Sequence, residues 1–214
     1  MSTSESRPAR RDSVRNRQLL VDAAREVFAE RGFEATLDDV ARHAGLGTGT
    51  AYRHFPNKHA LAAEVLRGAT EQIVTDAHEA LDVADPWAAL VQFFERVAER
   101  QASDRGLYET LTGQGDREAQ AEIWPRIVAA VRRLFDRAQK AGAVRPDAVA
   151  EDVAAVFALL GPAYAMGRSV HPEVWRRYLI LLLDGLRAEG RRPLPEPAPT
   201  AADIPALLGT GKQF

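Results

Sequence analysis

The chain has 214 residues, 46% hydrophobic and 27% charged, an ordinary globular composition with enough length to bury a real core. It holds no cysteine, which excludes a disulfide framework, a thiolate nucleophile and a cysteine-based zinc site. The formal net charge of −2 conceals an asymmetry, with +3 over residues 1–17, +2 over 1–60 and −4 over 61–214. A basic arm on an otherwise acidic chain points to a polyanion at that end, with a solvated charged tail as the plain alternative. The N-terminus has no apolar signal-peptide core, and apolar runs such as Tyr178–Leu183 fall far short of a bilayer span. The expectation is a cytoplasmic chain with no membrane partner.

In chain order, residues 1–12 read as a disordered basic arm. Helical periodicity starts at Asp12, where Leu19, Leu20, Ala23, Ala24, Val27 and Phe28 form one apolar face. Gly32 is placed to supply the left-handed residue that ends this helix. Thr36 and Asp39 have the spacing of a capping box, with Asp in place of the usual Glu or Gln, before a two-turn helix that ends at Gly45. A second short helix covers roughly Thr48–His54, capped by Gly47 or Thr48 and stopped by Pro56. Asn57 then caps a long helix from Lys58 to about Ala84.

Asp85-Pro86 opens a fifth helix marked by Trp87, Leu90, Val91, Phe94, Val97 and Ala98. A short segment, Leu107–Leu111, precedes a helix through Ile123–Phe135 that ends near Gly142. Pro146-Asp147 begins another through Met166, kinked at Gly161-Pro162. The last runs from after Pro172 to about Glu189. Its middle is apolar on every side, which calls for burial on more than one face. Five prolines in 191–214 read as a disordered tail. The fold class is all-α, about nine helices. The division expected is 13–60 as a helix-turn-helix domain, 61–189 as a helical regulatory and dimerisation domain, and 190–214 as tail.

The stretch Thr36–Lys58, TLDDVARHAGLGTGTAYRHFPNK, has two short helices joined by a glycine turn, the pattern whose second helix enters the DNA major groove. Residues 19–61 closely resemble the DNA-binding domain of the TetR/AcrR family of bacterial transcriptional regulators. The likeness is carried by the AxxxFAERGF end of the first helix, the T-x-x-x-V-A core, the A-G-L turn, the G-T-x-Y-R-H-F helix and the P-N-K lead-in. Beyond these residues it extends only to architecture.

That resemblance implies a regulator, mostly of the repressor kind, that binds a near-palindromic double-stranded operator as a homodimer and needs no cofactor, metal or catalytic residue. Thr48 and Thr50 stand where the family reads bases, and a threonine offers a hydroxyl and a methyl that can touch a thymine methyl. Tyr52 and His54 resemble the family's phosphate contacts, with Arg53 beside them, and Lys58 matches the lysine that opens the fourth helix. Thr36 and Arg42 flank the backbone. Gly49 weakens a helix, so it serves either close approach to DNA or tight packing against the preceding helix. Many members carry Lys where this chain has Thr48, which removes any simple transfer of operator preference.

The resemblance also implies a cavity for a small apolar or amphipathic effector, walled by Trp87, Phe93, Phe94, Tyr108, Trp124, Ile127 and Phe157. Plain core is the alternative for each. Glu109, Thr110, Thr112 and Gln114 are candidates to orient a ligand. Val153, Leu160, Tyr164, Trp175, Tyr178 and Leu182 are expected at the dimer interface, where two helices from each copy make a four-helix bundle. A central helix buried within one monomer is the competing account. Five histidines fall singly, with no metal-ligand spacing, phosphate loop or triad, so an enzyme is disfavoured. The remaining competitor is a helical small-molecule-binding or interaction protein whose helix-turn-helix is vestigial.

Overall fold

The computed structural model describes residues 6–104, 117–167, 171–190, 192–200 and 202–204. Among them are eight α-helices and no strand beyond an isolated Val144–Arg187 bridge. They are α1 (Ser6–Arg31), α2 (Leu37–His43), α3 (Thr48–His54), α4 (Lys58–Ala80), α5 (Pro86–Ser103), α6 (Arg117–Lys140), α7 (Asp152–Gly167) and α8 (Val174–Asp184). The segment Leu107–Leu111, with Tyr108, Glu109 and Thr110, lies outside the described residues, as do Thr112 and Gln114.

Two apolar cores form. Leu20, Ala24, Val27 and Phe28 of α1 pack with Leu37, Val40, Ala51 and Phe55, and with Leu61, Ala62 and Val65 at the start of α4. The larger core takes Leu66, Ile73 and Ala77 of α4, then Phe93, Phe94, Trp124, Val131, Phe157 and Trp175 from α5 to α8. Rings meet edge-on between Phe93 and Phe94 at 5.6 Å and between Tyr164 and Trp175 at 6.0 Å. The change from one core to the other falls inside the continuous helix α4, between Val65 and Leu66, rather than at residue 60.

Several boundaries differ from the sequence expectation, each for a local reason. Helix α1 starts at Ser6, so residues 6–12 of the expected disordered arm are its first turns; Pro8 sits where a missing N–H leaves no helical bond unmade. Helix α4 stops at Ala80 instead of Ala84. There the Arg137 guanidinium donates to the carbonyls of Leu81 (2.8 Å), Val83 (2.6 Å) and Ala84 (2.7 Å), closing the end from a distant helix. Asp85 then caps α5 by accepting from Ala88 N at 2.6 Å, with Pro86 at the first helical position as expected.

Helix α7 opens at Asp152 instead of Pro146, because Asp147 is taken by Arg145 (Nε to Oδ1, 2.7 Å) and Asp152 Oδ2 accepts from Val149 N at 2.9 Å. The Arg145 guanidinium holds the Asp147 carboxyl well below the usual carboxylate range. Asp147 Oδ2 also accepts from Leu194 N at 3.1 Å, and Ile204 is buried at 1% exposure. The described part of the Pro-rich tail is therefore anchored, since a buried arginine network reaches chain that composition alone reads as free. Helix α8 ends at Asp184, short of Glu189, because the chain turns there to bond Arg145 N to Leu186 O and Ala188 N to Ala143 O.

Candidate nucleic-acid interface

The helix-turn-helix is fixed by short-range chemistry. Asp39 N donates to Thr36 Oγ1 at 3.1 Å and Thr36 N donates back to Asp39 Oδ2 at 3.0 Å, so the expected capping box is complete. At the other end of α2, Leu46 N bonds Ala41 O and Gly45 N bonds Arg42 O around Gly45 at φ +67°. This is a Schellman closure, and the positive φ is why a glycine stands there. Gly47 then caps α3 without a side chain. Ala51 and Phe55, at 0% and 2% exposure, turn inward and set the angle of α3 against α1 and α2.

Donation from the Thr36 hydroxyl, then from its backbone N–H, lowers the Asp39 pKa below its ordinary 3.8, helped by Arg31 and Arg42. A depressed carboxylate stabilises the fold above the unfolded pKa and loses that contribution as pH falls through the folded value. The cap is thus expected to be intact at neutral pH and to open only below pH 3.8. An NMR titration of the Asp39 carboxyl checks this, and a midpoint at or above the ordinary value contradicts it.

The face of α3 opposite Ala51 is open. Thr48, Gly49, Tyr52 and Arg53 are exposed, Tyr52 at 51%, while Thr50 and His54 are half-buried. No acidic residue lies in the first turn of α3. Arg53 folds back along its own helix, Nε to Gly49 O at 3.2 Å and Nη2 to Thr50 Oγ1 at 3.0 Å. In the free chain the Thr50 hydroxyl is therefore an acceptor already used. Base or phosphate contact by either side chain requires this pair to open, at the cost of two exposed hydrogen bonds that water replaces.

Arg42, whose side chain is 76% exposed, and Lys58, on the first residue of α4 behind the Asn57 cap, stand on the flanks. The Thr36 hydroxyl is spent on Asp39 at 2.6 Å, so its route to a phosphate competes with its own cap. A Cβ built on Gly49 meets nothing within 4 Å, which removes the packing account of this glycine and leaves the open approach. Gly49→Ala is expected to raise folding stability by about 0.5–1 kcal/mol while weakening DNA binding. Thermal melts beside a titration with DNA check it; unchanged DNA affinity would show that no backbone comes close there.

Two contacts of the site gave no sequence signal. Arg17 of α1 lies 4.4 Å over the Phe55 ring and pairs with Glu64 at 3.1 Å, clamping the end of α3 to α1 and α4. His43 Nε2 meets Glu26 Oε2 at 2.6 Å and ties α2 to α1. Both link residues far apart in sequence.

The other predicted sets separate. Phe93, Phe94, Trp124, Ile127 and Phe157 are all buried in the larger core, while Trp87 is half-buried under the Arg187 guanidinium. Among the described residues, a cavity of about 240 Å³ lies between α7 and the tail, against Ala154, Ala155, Ala158, Leu159, Pro199, Ile204 and Glu151. None of the six described members of the predicted wall borders it. Val153, Leu160, Tyr164 and Trp175, expected to face a second copy, are at most 7% exposed within one chain. Their side chains fill the monomer's own core, so they are not free to meet a partner. The apolar side chains left outside on α7 and α8 are Leu159 (62%), Met166 (66%), Ile180 (53%), Leu181 (57%) and Tyr178 (37%), with Leu182 half-buried.

A capped helix-turn-helix with an open polar helix, joined through α4 to a second helical core, is the architecture of a DNA-binding regulator. Residues 20–65 match the family model for bacterial regulatory proteins of the tetR family, and residues 85–188 match that of the SbtR-like regulator C-terminal domain. The HTH-type transcriptional repressor KstR2 of Rhodococcus jostii is 30% identical over 200 residues, covering 79% of this chain and 90% of that protein. A TetR regulatory protein from Mycobacterium vanbaalenii is similar in structure, with a TM-score of 0.58 and 33% identity over 84% of this chain and 99% of that one. The regulator SCO0520 of Streptomyces coelicolor gives a TM-score of 0.59 at 29% identity, covering 81% of this chain and 99% of that one. The chain belongs to the TetR family of transcriptional regulators and is a DNA-binding protein of that class. No helix among the described residues is long and apolar enough to cross a membrane.

Proposed function

We propose that this regulator is a cytoplasmic repressor that binds a near-palindromic operator as a homodimer and releases it when a small effector occupies the 61–189 domain. The observation that carries the reading is the outward face of α3, where Thr48, Tyr52 and Arg53 stand exposed on a helix whose inner side is locked by Ala51 and Phe55. Thr48 and Thr50 contact base edges, Arg53 reaches a guanine or a phosphate, and Tyr52, His54, Lys58, Arg42 and Thr36 hold the backbone. The relative KstR2 is named a repressor, which favours repression here.

Dimerisation is supported by the exposed apolar face of α7 and α8, because a soluble monomer rarely leaves such a patch uncovered. One α3 offers few contacts, so a two-fold pair doubles them and sets the half-site spacing. Release follows if the effector favours a geometry in which the two α3 helices no longer match that spacing. The test is a gel shift with DNA from upstream of the protein's own gene, repeated over a range of salt. A sequence-specific complex that weakens steeply with salt is expected. Failure to form one at low salt would reject the regulator and favour a helical carrier with a vestigial helix-turn-helix.

A further inference from the structure

The basic N-terminal stretch, with five arginines in residues 1–17, takes no part in the DNA contacts assigned to α2, α3 and the start of α4. Its described part is helical: α1 opens at Ser6 and carries Arg11 and Arg15 about one turn apart, both exposed. Other arginines of the DNA-binding core are occupied. Arg17 and Arg67 pair with Glu64, Arg25 with Asp22, and Arg31 and Arg42 with Asp39, while Arg53 folds onto Gly49 and Thr50. Arg11 and Arg15 have no ion pair or hydrogen bond with a described residue, including the exposed Asp12 between them. Two guanidiniums of α1 are thus open to an anion from outside.

Arg17 fixes where this stretch lies. Its guanidinium is 4.4 Å from the centre of the Phe55 ring, at the C-cap of α3, and 3.1 Å from Glu64 on α4. At 1.5 Å per residue, Arg15 and Arg11 stand about 3 and 9 Å further along the axis of α1. They run on from the end of the helix whose outer face is open, the end at which Lys58 begins α4.

The width of a helix decides which part of a duplex α1 can meet. With side chains a helix is about 10–12 Å across, against a minor groove about 6 Å wide, so this stretch cannot thread that groove as an extended arm would. The major groove, about 12 Å wide, admits one helix, and on the proposed reading α3 takes it. The backbone remains, with one negative charge per roughly 1.7 Å of duplex axis. A guanidinium is a planar fork of donors that matches two phosphate oxygens. We propose that the N-terminal part of α1 is a second DNA-contacting element, in which Arg11 and Arg15 donate to backbone phosphates flanking the groove that α3 occupies. The assignment rests on reading α3 as the groove helix and extends the contact surface beyond the helix-turn-helix. Because α1 continues unbroken from Ser6 to Leu20, Ala24 and Phe28 of the core, these contacts need no ordering of a free arm. Phosphates carry no sequence information, so the two arginines raise affinity for every duplex.

The experiment uses the full chain, a duplex from upstream of its own gene and an unrelated duplex of the same length, titrated at several salt concentrations. Arg11→Gln/Arg15→Gln is expected to lower the slope of log affinity against log salt by about 3.6, the loss of two phosphate contacts from each subunit of a dimer. Affinity for both duplexes should fall by the same factor, at least about tenfold at about 0.1 M salt. Arg11→Lys/Arg15→Lys keeps the charges and is expected to keep the slope. Arg, Gln and Lys lie close together in helix propensity, so α1 persists in both variants. An unchanged slope in the glutamine variant, or an equal loss in the lysine variant, overturns this inference alone. A loss confined to duplexes with A·T-rich flanks, the mark of minor-groove contact, overturns it as well. Wild-type protein that forms no specific complex at low salt strikes the regulator reading itself.

Discussion

Replacing Leu159 and Leu181 together by glutamate is expected to turn the protein into a monomer and to abolish tight operator binding. Both side chains are more than half exposed in the single chain, at 62% and 57%, so the change costs the monomer fold little. In a two-fold interface the same change places four carboxylates in an apolar contact, where charge is unsolvated and repels its symmetry mate. A monomer keeps one reading helix and about half of the binding free energy. A dimeric complex of nanomolar affinity would then weaken to roughly 30 µM, since halving the free energy takes the square root of Kd. Sedimentation at micromolar concentration and a gel shift read the two effects. A variant that stays dimeric with an unchanged melting temperature would place the interface elsewhere.

The second large effect belongs to α3 and the first residue of α4. Tyr52→Ala and Lys58→Ala should weaken binding to operator and unrelated DNA alike. For Lys58→Ala the slope of log affinity against log salt should fall by about two for a dimer, one lost phosphate contact per subunit. Thr50→Ala differs in kind. It removes a hydroxyl and a methyl from the proposed base-facing side and frees Arg53 from its 3.0 Å bond, so it is expected to change which sequence is preferred. Selection of bound fragments from a random pool distinguishes the two classes. Should Thr50→Ala leave affinity and preference both intact, the reading face lies on other residues.

Legibility of the chain in its sequence tracks the range of the interactions involved. The capping box of Thr36 and Asp39, the left-handed Gly45 and the Asn57 cap each act within a few residues, so spacing alone located α2, the turn and α4. The apolar helices α7 and α8 offer no such cue. A helix apolar on every side does not declare which side meets its own core, and Trp175 and Leu160 went inward while Ile180 and Leu159 stayed out. The anchoring of the described part of the tail was illegible for a related reason: the bond from Leu194 to Asp147 spans 47 residues, and no local pattern announces it. Arg17 on Phe55 is likewise a meeting of distant residues.

The continuity of α4 through both cores makes it a lever as well as a joint. At 1.5 Å per residue its 23 residues span about 35 Å. A tilt of about 5° at the effector end displaces the Lys58 end by roughly 3 Å, close to the rise of one base pair. A tilt that shifts Ile73 by only about 1 Å is therefore about threefold larger at Lys58, on the scale at which α3 would fit its groove.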